Sequence, residues 1–479
     1  MRAMGCETYD ACMCRPNLHP ESNRSGTFSM CRVVGAFVTK KFGDNMDTTL
    51  PSIAGTSAAP LTRAQKKAIA AATLGTIVEF TDWLIYATFA ALFSRHFFPA
   101  HDNRVSLLSA FAVFAVGFVM RPIGGAVLGA FADRHGRKDG LALSVALMAG
   151  SSLVIAICPG YGSIGMAAPV ILVLARLTQG FAAGGEFGSA STFLIESSVP
   201  SRRGFAGSWQ HFAVNAGVLV AASIGTALMS MIDTAAMAEW GWRVAFGIAG
   251  LMGFVALWVR LTVAETDAFT NASAGHRRVR HPFVAVVREH RRAALRVIGI
   301  AMAGNLCNYL WLVMFPTLVH LRTGLPLHDA FNASVISIVV SLIAIPFVGM
   351  LSDRIGRKPV LLAFAGGSAL FAWPALHFLS HNFWNAATIA TIGMLLSTGF
   401  AATCASVMAE QFPVQVRATG VALPYAVSAA LFGGTLPYIV TAMSNSGLSE
   451  YLWIYVAVVC ATGFVVYARM PETRGKVLD

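Results

Sequence analysis

Runs of apolar residues recur along most of the chain at helix length, separated by short polar and basic loops. A bilayer core about 30 Å thick needs roughly 20 helical residues to cross it. The pattern predicts twelve such crossings, over 69–92, 106–130, 140–158, 169–196, 206–230, 242–263, 294–319, 330–351, 360–379, 386–411, 420–441 and 450–469, called spans 1 to 12. Gly and Pro interrupt several of them, which transmembrane helices tolerate because neighbouring helices or water satisfy the freed backbone groups. Three stretches fall outside the pattern: a leader over 1–65, a polar linker over 264–293 and a tail over 470–479. The linker divides the pattern into two six-helix halves, 66–263 and 294–469.

Composition agrees with a membrane protein. The chain is 56% hydrophobic and 12% charged, about half the charge of a soluble domain. Its formal net charge of +12 changes the picture only through where it sits. Arg134, Arg137, Lys138, Arg202, Arg203, the arginines of 277–292, Arg354, Arg357, Lys358, Arg417 and Arg474 all fall on the side shared by the termini. The other side offers Arg95, Arg104 and Arg322. By the positive-inside rule both termini are expected in the cytoplasm. Basic residues scattered over short loops form no nucleic-acid patch.

The leader holds Cys6, Cys12, Cys14 and Cys31, half of the eight cysteines, with neither the spacing of a zinc ribbon nor the apolar core of a signal peptide. Met46 opens a polar stretch that runs straight into span 1, so translation is expected to start there, with a disordered and partly non-native leader. Cys158, Cys307, Cys404 and Cys460 are expected to be packing residues. No metal site, cofactor or disulfide framework is implied.

Two echoes bear on organisation. "GAFADRHGRK" at 129–138 returns as "GMLSDRIGRK" at 349–358, after spans 2 and 8. Gly125 and Gly129 have the small-xxx-small spacing that lets two membrane helices approach, and Arg134, Arg137, Lys138, Arg354 and Arg357 suit a helix C-terminus and an anionic leaflet. Asp133 and Asp353 do not suit that end unless a cation or another helix's N-terminus faces them. They are expected to pair across the cytoplasmic face as a releasable gate. The second echo joins "ESSVPSRRG" at 196–204 to "EQFPVQVRATG" at 410–420, which makes Glu196 and Glu410 gate residues too. Two six-helix halves with a cavity between them and alternating access follow.

Charges at membrane depth mark substrate or ion paths by default, and here they gather in the first half. Glu79, Asp82 and Tyr86 share a face of span 1, Arg121 lies in span 2, and Arg176, Gln179 and Glu186 stripe span 4. Arginine takes a carboxylate with two parallel hydrogen bonds, so Arg121 and Arg176 are candidate anion binders. A buried acid has its proton affinity raised and a nearby arginine lowers it, which makes Glu79, Asp82 or Glu186 candidate proton carriers. The alternative for these pairs is an ion-pair network locking spans 1, 2 and 4. Asn305, Asn308, Tyr309, Trp311 and Tyr425 are candidate walls or ligand contacts from the second half, and His211 and Asn215 candidate lining from span 5. The sequence shows no grouping of His, Cys and carboxylates at ligand spacing and no phosphate loop, so no enzyme is expected.

"RLTQGFAAGGEFGSASTFLIE" (176–196), "GFVMRPIGG" (117–125), "EWGWRVAFGIAG" (239–250) and "LFGGTLPYIVT" (431–441) resemble the major facilitator superfamily, and within it the metabolite:proton symporters, from about residue 70 to about 470. The stretch 158–181 and "WP" at 373 look most like the citrate and tricarballylate branch. Two positions depart from the family pattern: Gly75-Thr76 stands where Gly-Asn is usual, and Tyr425-Ala426 where Tyr-Asn is usual. The resemblance implies an all-α, twelve-helix protein of a bacterial inner membrane. It would act as a monomer, importing a small organic anion such as citrate, tricarballylate or α-ketoglutarate with protons. Proline or betaine symport is the competitor, although the tail lacks the heptads of osmosensing relatives; drug export fits the buried arginines less well.

Overall fold

The structure, a computed structural model, describes residues 61–99, 101, 103–274 and 279–476; the leader cysteines and Met46 lie outside the described residues. Among the described residues, twelve helices are long and apolar enough to cross a membrane: α1 (Arg63–Phe97), α2 (Val105–His135), α3 (Arg137–Ile157), α4 (Ala167–Glu196), α5 (Pro200–Met231), α6 (Met237–Leu261), α7 (Arg291–Thr323), α8 (Leu327–Ile355), α9 (Arg357–His377), α10 (Phe383–Ala409), α11 (Val414–Val440) and α12 (Ser449–Arg469). Among the described residues there is no strand.

Several helices outrun their apolar cores. α1 starts at Arg63, six residues before the predicted run, because Thr62 and Gln65 close a capping box around its polar first turn. At 1.5 Å per residue its 35 residues reach about 50 Å, well past the hydrocarbon. The linker is more ordered than a solvated tether: it carries short helices at Asp267–Ala274 and Pro282–Arg288, and its last arginines, from Arg291, already belong to α7.

Each half has its own core. In the first, Tyr86, Phe89, Phe93 and Phe97 of α1 pack with Trp242 and Phe246 of α6; in the second, a larger apolar cluster runs from α7 to α12. Glycine sets how closely α4 crosses α2: a Cβ at Gly184 would collide with the carbonyl oxygen of Arg121, so this crossing fixes where Arg121 leaves its helix. In α7 and α11 a π-helical turn, Leu310–Met314 and Ala429–Gly434, follows the stretches bearing Tyr309 and Tyr425. Such turns reset which side chains face inward.

Candidate functional site

Between the halves lies a cavity walled by Glu79 of α1, Arg121 of α2, Phe187 of α4, Asn308 and Tyr309 of α7, and Tyr425 of α11, among others. Arg121 has no ion-pair partner within 4 Å among the described residues, so an ion-pair network of spans 1, 2 and 4 is not what holds it. Its guanidinium lies over the rings of Trp83, at 4.4 Å, and Phe118, at 4.8 Å. A desolvated cation over an aromatic face gains about 2 kcal/mol, which offsets much of the cost of about 2.5 kcal/mol or more for arginine at membrane depth. Stacking occupies the faces of the guanidinium and leaves donors on its edge; Nε is buried without a hydrogen-bond partner. Glu79 is 3% exposed and makes no ion pair among the described residues.

The other charges of the first half are committed elsewhere. The Asp82 carboxylate accepts from Ser152 and, at 2.7 Å, from Gln179 Nε2, while Gln179 Oε1 accepts from Arg176 at 2.7 Å. Arg176 lies over the rings of Tyr86, at 3.9 Å, and Trp83, at 4.7 Å. Gln179 thus links acid to base, and this relay locks α1, α3 and α4; none of Asp82, Arg176 or Gln179 lines the cavity. Tyr86 is fully buried and its hydroxyl donates to the Ala110 carbonyl at 2.9 Å. Glu186 pairs with Arg260 of α6 at 2.7 Å, and Arg260 also donates to the Leu141 carbonyl. Asn305 faces Ser428 at 3.4 Å, outside the cavity, and Trp311 sits in the second-half core against Phe315 and Phe371. Of the residues expected from the sequence, Arg121, Glu79, Asn308, Tyr309 and Tyr425 come together. Arg176, Gln179, Tyr86, Asn305, Asp82, Glu186 and Trp311 do not join them.

Polar links between the halves gather at the end carrying the basic loops. Asp133 and Asp353 do not pair with each other: each accepts from the first amide groups of a helix in the opposite half. Asp133, at the end of α2, takes Ala418 N at 3.0 Å, Thr419 N at 2.9 Å and the Thr419 hydroxyl at 2.6 Å, in α11. Asp353, at the end of α8, takes Gly204 N and Phe205 N of α5, both at 2.8 Å. An anion at a helix N-terminus meets unpaired amides and the positive end of the dipole, so each acid escapes the unfavourable end of its own helix. Each is also bound by the arginine four residues on, Arg137 at 3.1 Å and Arg357 at 2.8 Å. Gly129 lets the helices touch: its Cβ would lie 2.9 Å from Thr419 Cα.

Glu196 accepts from Arg137 at 3.3 Å, from Arg417 of the opposite half at 2.8 Å and from Thr266 at 2.8 Å. Glu410, its echo, is 1% exposed, and among the described residues neither carboxylate oxygen has a partner at hydrogen-bond geometry, although the Thr473 hydroxyl, Arg357 and Arg203 lie near enough to act on it. Arg134 and Arg354 stand outside this machinery: both are exposed, and Arg134 donates to the Arg280 carbonyl in the linker.

Sequence reading missed a further matched pair. Glu265 accepts from Lys138 N at 3.1 Å, and Glu472 from Arg357 N and Lys358 N at 2.9 Å, so the two acids cap the starts of α3 and α9. The preceding turns need Gly136 and Gly356, at φ 130° and 104°. The signal was there as "AETD" at 264–267 against "PETR" at 471–474. Burial pushes the Glu265 carboxyl up, against the amides of Thr266 and Lys138. Burial also acts on Glu472, but the amides of Arg357, Lys358, Arg474 and Thr473 outweigh it and hold its carboxyl below the ordinary glutamate range.

A family model described as sugar (and other) transporter matches residues 67–281 and 279–479. The chain is 35% identical to the α-ketoglutarate permease of Escherichia coli (strain K12), over 87% of this chain and 95% of that one. It is 32% identical to the citrate-proton symporter of Salmonella typhi, over 86% and 95%, and 31% identical to the proline/betaine transporter of Salmonella typhimurium, over 86% and 85%. In fold it resembles the proton:xylose symporter XylE bound to 6-bromo-6-deoxy-D-glucose, with a TM-score of 0.71 at 17% identity over 87% of this chain and 98% of that one. With twelve spanning helices and these relatives, the chain is a multi-pass membrane protein that belongs to the sugar (and other) transporter family of the major facilitator superfamily and, within that superfamily, to the metabolite:proton symporters, which are transporters and not enzymes.

Proposed function

We propose that the chain imports a small organic acid together with protons, the acid being a di- or tricarboxylate such as α-ketoglutarate, citrate or tricarballylate. The observation that carries this reading is that Arg121 and Glu79 line one cavity between the halves: a stacked guanidinium whose Nε has no hydrogen-bond partner among the described residues, and an acid free of any salt bridge there. A substrate carboxylate docks on the edge of Arg121 with two parallel hydrogen bonds. Its charge then opposes that of ionised Glu79, so the loaded cavity favours Glu79 in its protonated form. Substrate and proton are thereby coupled through the field of Arg121 and need not touch. Asn308, Tyr309 and Tyr425 close the cavity from the second half.

The halves 66–263 and 294–469 rock about this cavity, joined by the linker 264–293 and followed by the tail 470–479. The basic end faces the cytoplasm of a bacterium across its inner membrane, as the positive-inside rule requires. One chain encloses one whole cavity, so it works as a monomer. Proline or betaine symport is the second reading, favoured by the resemblance to the proline/betaine transporter and by Glu79, which can face an ammonium group. Uptake into proteoliposomes under an imposed pH gradient, with labelled α-ketoglutarate, citrate, proline and betaine, separates the two. Arg121→Lys keeps the charge and loses the planar edge and the stacking, so carboxylate affinity should fall at least about tenfold. Glu79→Gln should leave binding measurable and abolish its pH dependence. Normal affinity and pH dependence in both variants, or no uptake of any carboxylate by the unmodified protein, would refute the proposal.

A further inference from the structure

A second, smaller cavity lies beside the first and shares Asn308 with it. Its polar walls come from His211 and Asn215 of α5, Ser341 of α8 and Ser397 of α10, so both halves contribute and no acid or permanent cation lines it. The wall between the cavities includes Phe187, which lines the first cavity, stacks on Tyr425 at 3.5 Å and meets the His211 ring edge-on at 6.1 Å. His211 is 2% exposed. Its Nδ1 lies 3.2 Å from Cys404 Sγ across the interface of the halves, while Nε2 is buried without a hydrogen-bond partner. Nearby, Asn215 reaches Ser341 at only 3.3 Å. A buried polar nitrogen without a partner costs about 1–3 kcal/mol, which a ligand able to complete it returns on binding.

We infer that this second cavity is the subsite for the far carboxylate of the substrate, with His211 Nε2–H and the Ser341 hydroxyl as its donors, and that it makes the protein select acids with a second carboxylate over monocarboxylates of the same skeleton. In the tautomer whose Nδ1 accepts from the Cys404 thiol, the ring presents Nε2–H to the ligand. A substrate held at Arg121 by one carboxylate extends past Asn308 to place the other here. Because the donors come from α5 and α8, a ligand spanning both cavities ties the two halves together, which a monocarboxylate cannot do. This inference rests on the proposed carboxylate site at Arg121.

The test compares matched acids as competitors of uptake in proteoliposomes: α-ketoglutarate against 2-oxovalerate, and citrate against 2-hydroxyisobutyrate. The unmodified protein should prefer the first member of at least one pair by more than about tenfold, the worth of one charge-assisted hydrogen bond. His211→Leu, close in volume and without donors, should cut that preference about tenfold while leaving the monocarboxylate's own inhibition unchanged. Ser341→Ala, a change too small to disturb packing, should cut it about threefold, and it decides the matter if His211→Leu fails to insert. An unmodified protein that binds both members of each pair equally, or a preference untouched in the variants, would overturn the subsite while the Arg121 site stands. An unmodified protein that binds none of the four acids overturns the Arg121 site as well.

Discussion

Asp133 and Asp353 occupy matched places in the two halves, and each is bonded to the first amides of a helix in the other half and to the arginine four residues downstream. Beside them the two corners diverge. In the first, Glu196 is saturated by Arg137, Thr266 and, across the interface, Arg417. In the second, Glu410 is buried, among the described residues neither of its oxygens has a partner at hydrogen-bond geometry, and Arg203 donates to the carbonyl of Lys476 instead. The capping geometry is the same in the two halves, whereas the ion pairs beside it differ. The closed basic end therefore hangs more heavily on the first corner than on the second.

The largest difference should come from the two glutamates. Glu196→Gln leaves Arg137 and Arg417 buried without their shared anion, and removing one partner of a buried ion pair costs about 3–5 kcal/mol. Since Arg417 reaches from the opposite half, part of that loss falls on the closed arrangement, and a cysteine placed at the basic end should become far more reactive to a thiol reagent. Glu410→Gln should leave reactivity and apparent melting temperature nearly unchanged, or raise the latter, because burial already pushes the Glu410 carboxyl up despite Arg357 and Arg203. Equal losses in the two variants would show that the corners are equivalent and that the difference in bonding carries no energy.

Smaller effects belong to the two aspartates. Removing a helix-capping acid costs about 0.5–2 kcal/mol, and Asp133 accepts one hydrogen bond more than Asp353 from the opposite half, from the Thr419 hydroxyl. Asp133→Asn should slow turnover several-fold and Asp353→Asn somewhat less, while substrate binding from the opposite end persists in both. Lost binding in a well-inserted Asp133→Asn protein would place this residue in the cavity and not in the latch.

How much of this could be read from the chain differs between fold and site. Twelve spans and two halves were legible because apolar runs and the repeated decapeptides are local signals. The charges at the basic end were legible, but not their wiring: the helix starts that face Asp133 and Asp353 present backbone amides, which no side-chain pattern announces. In the cavity, Arg121 and Glu79 were legible as costly charges. What separates them from Arg176 and Asp82 is one glutamine, Gln179, whose amide spans acid and base, and rotation of a helix by one residue would undo that relay. Arg260 was missed because an arginine at the end of span 6 reads as a topology signal; in fact it turns inward to Glu186. Trp83 and Phe118 were missed as partners of Arg121 because aromatic residues in a membrane span look like lipid contacts.

The smallest effect concerns the caps of α3 and α9, where the same position responds oppositely to acid. The Glu472 carboxyl is held below its ordinary value of 4.5, so its stabilising contribution is fully present above that pH and is lost as pH falls through the lower folded value. The Glu265 carboxyl is pushed up by burial, so the folded protein takes up this proton more readily than the unfolded chain. Stability from this group accordingly rises as pH falls from the raised folded value toward 4.5. Glu472→Gln should thus lower the apparent melting temperature at pH 7 by about 1–2 °C, with the gap to the unmodified protein closing below pH 4.5. Glu265→Gln should do the reverse: its gap is most favourable to the variant at pH 7 and shrinks as the pH is lowered toward 5, because the neutral amide stands in for the protonated acid. Both partners are surface-facing in part, and screening should reduce the two effects at high salt. Parallel pH profiles for the two variants would mean that the amides around Glu472 do not outweigh its burial, and that the two caps have not diverged in the way the bonding at Glu196 and Glu410 has.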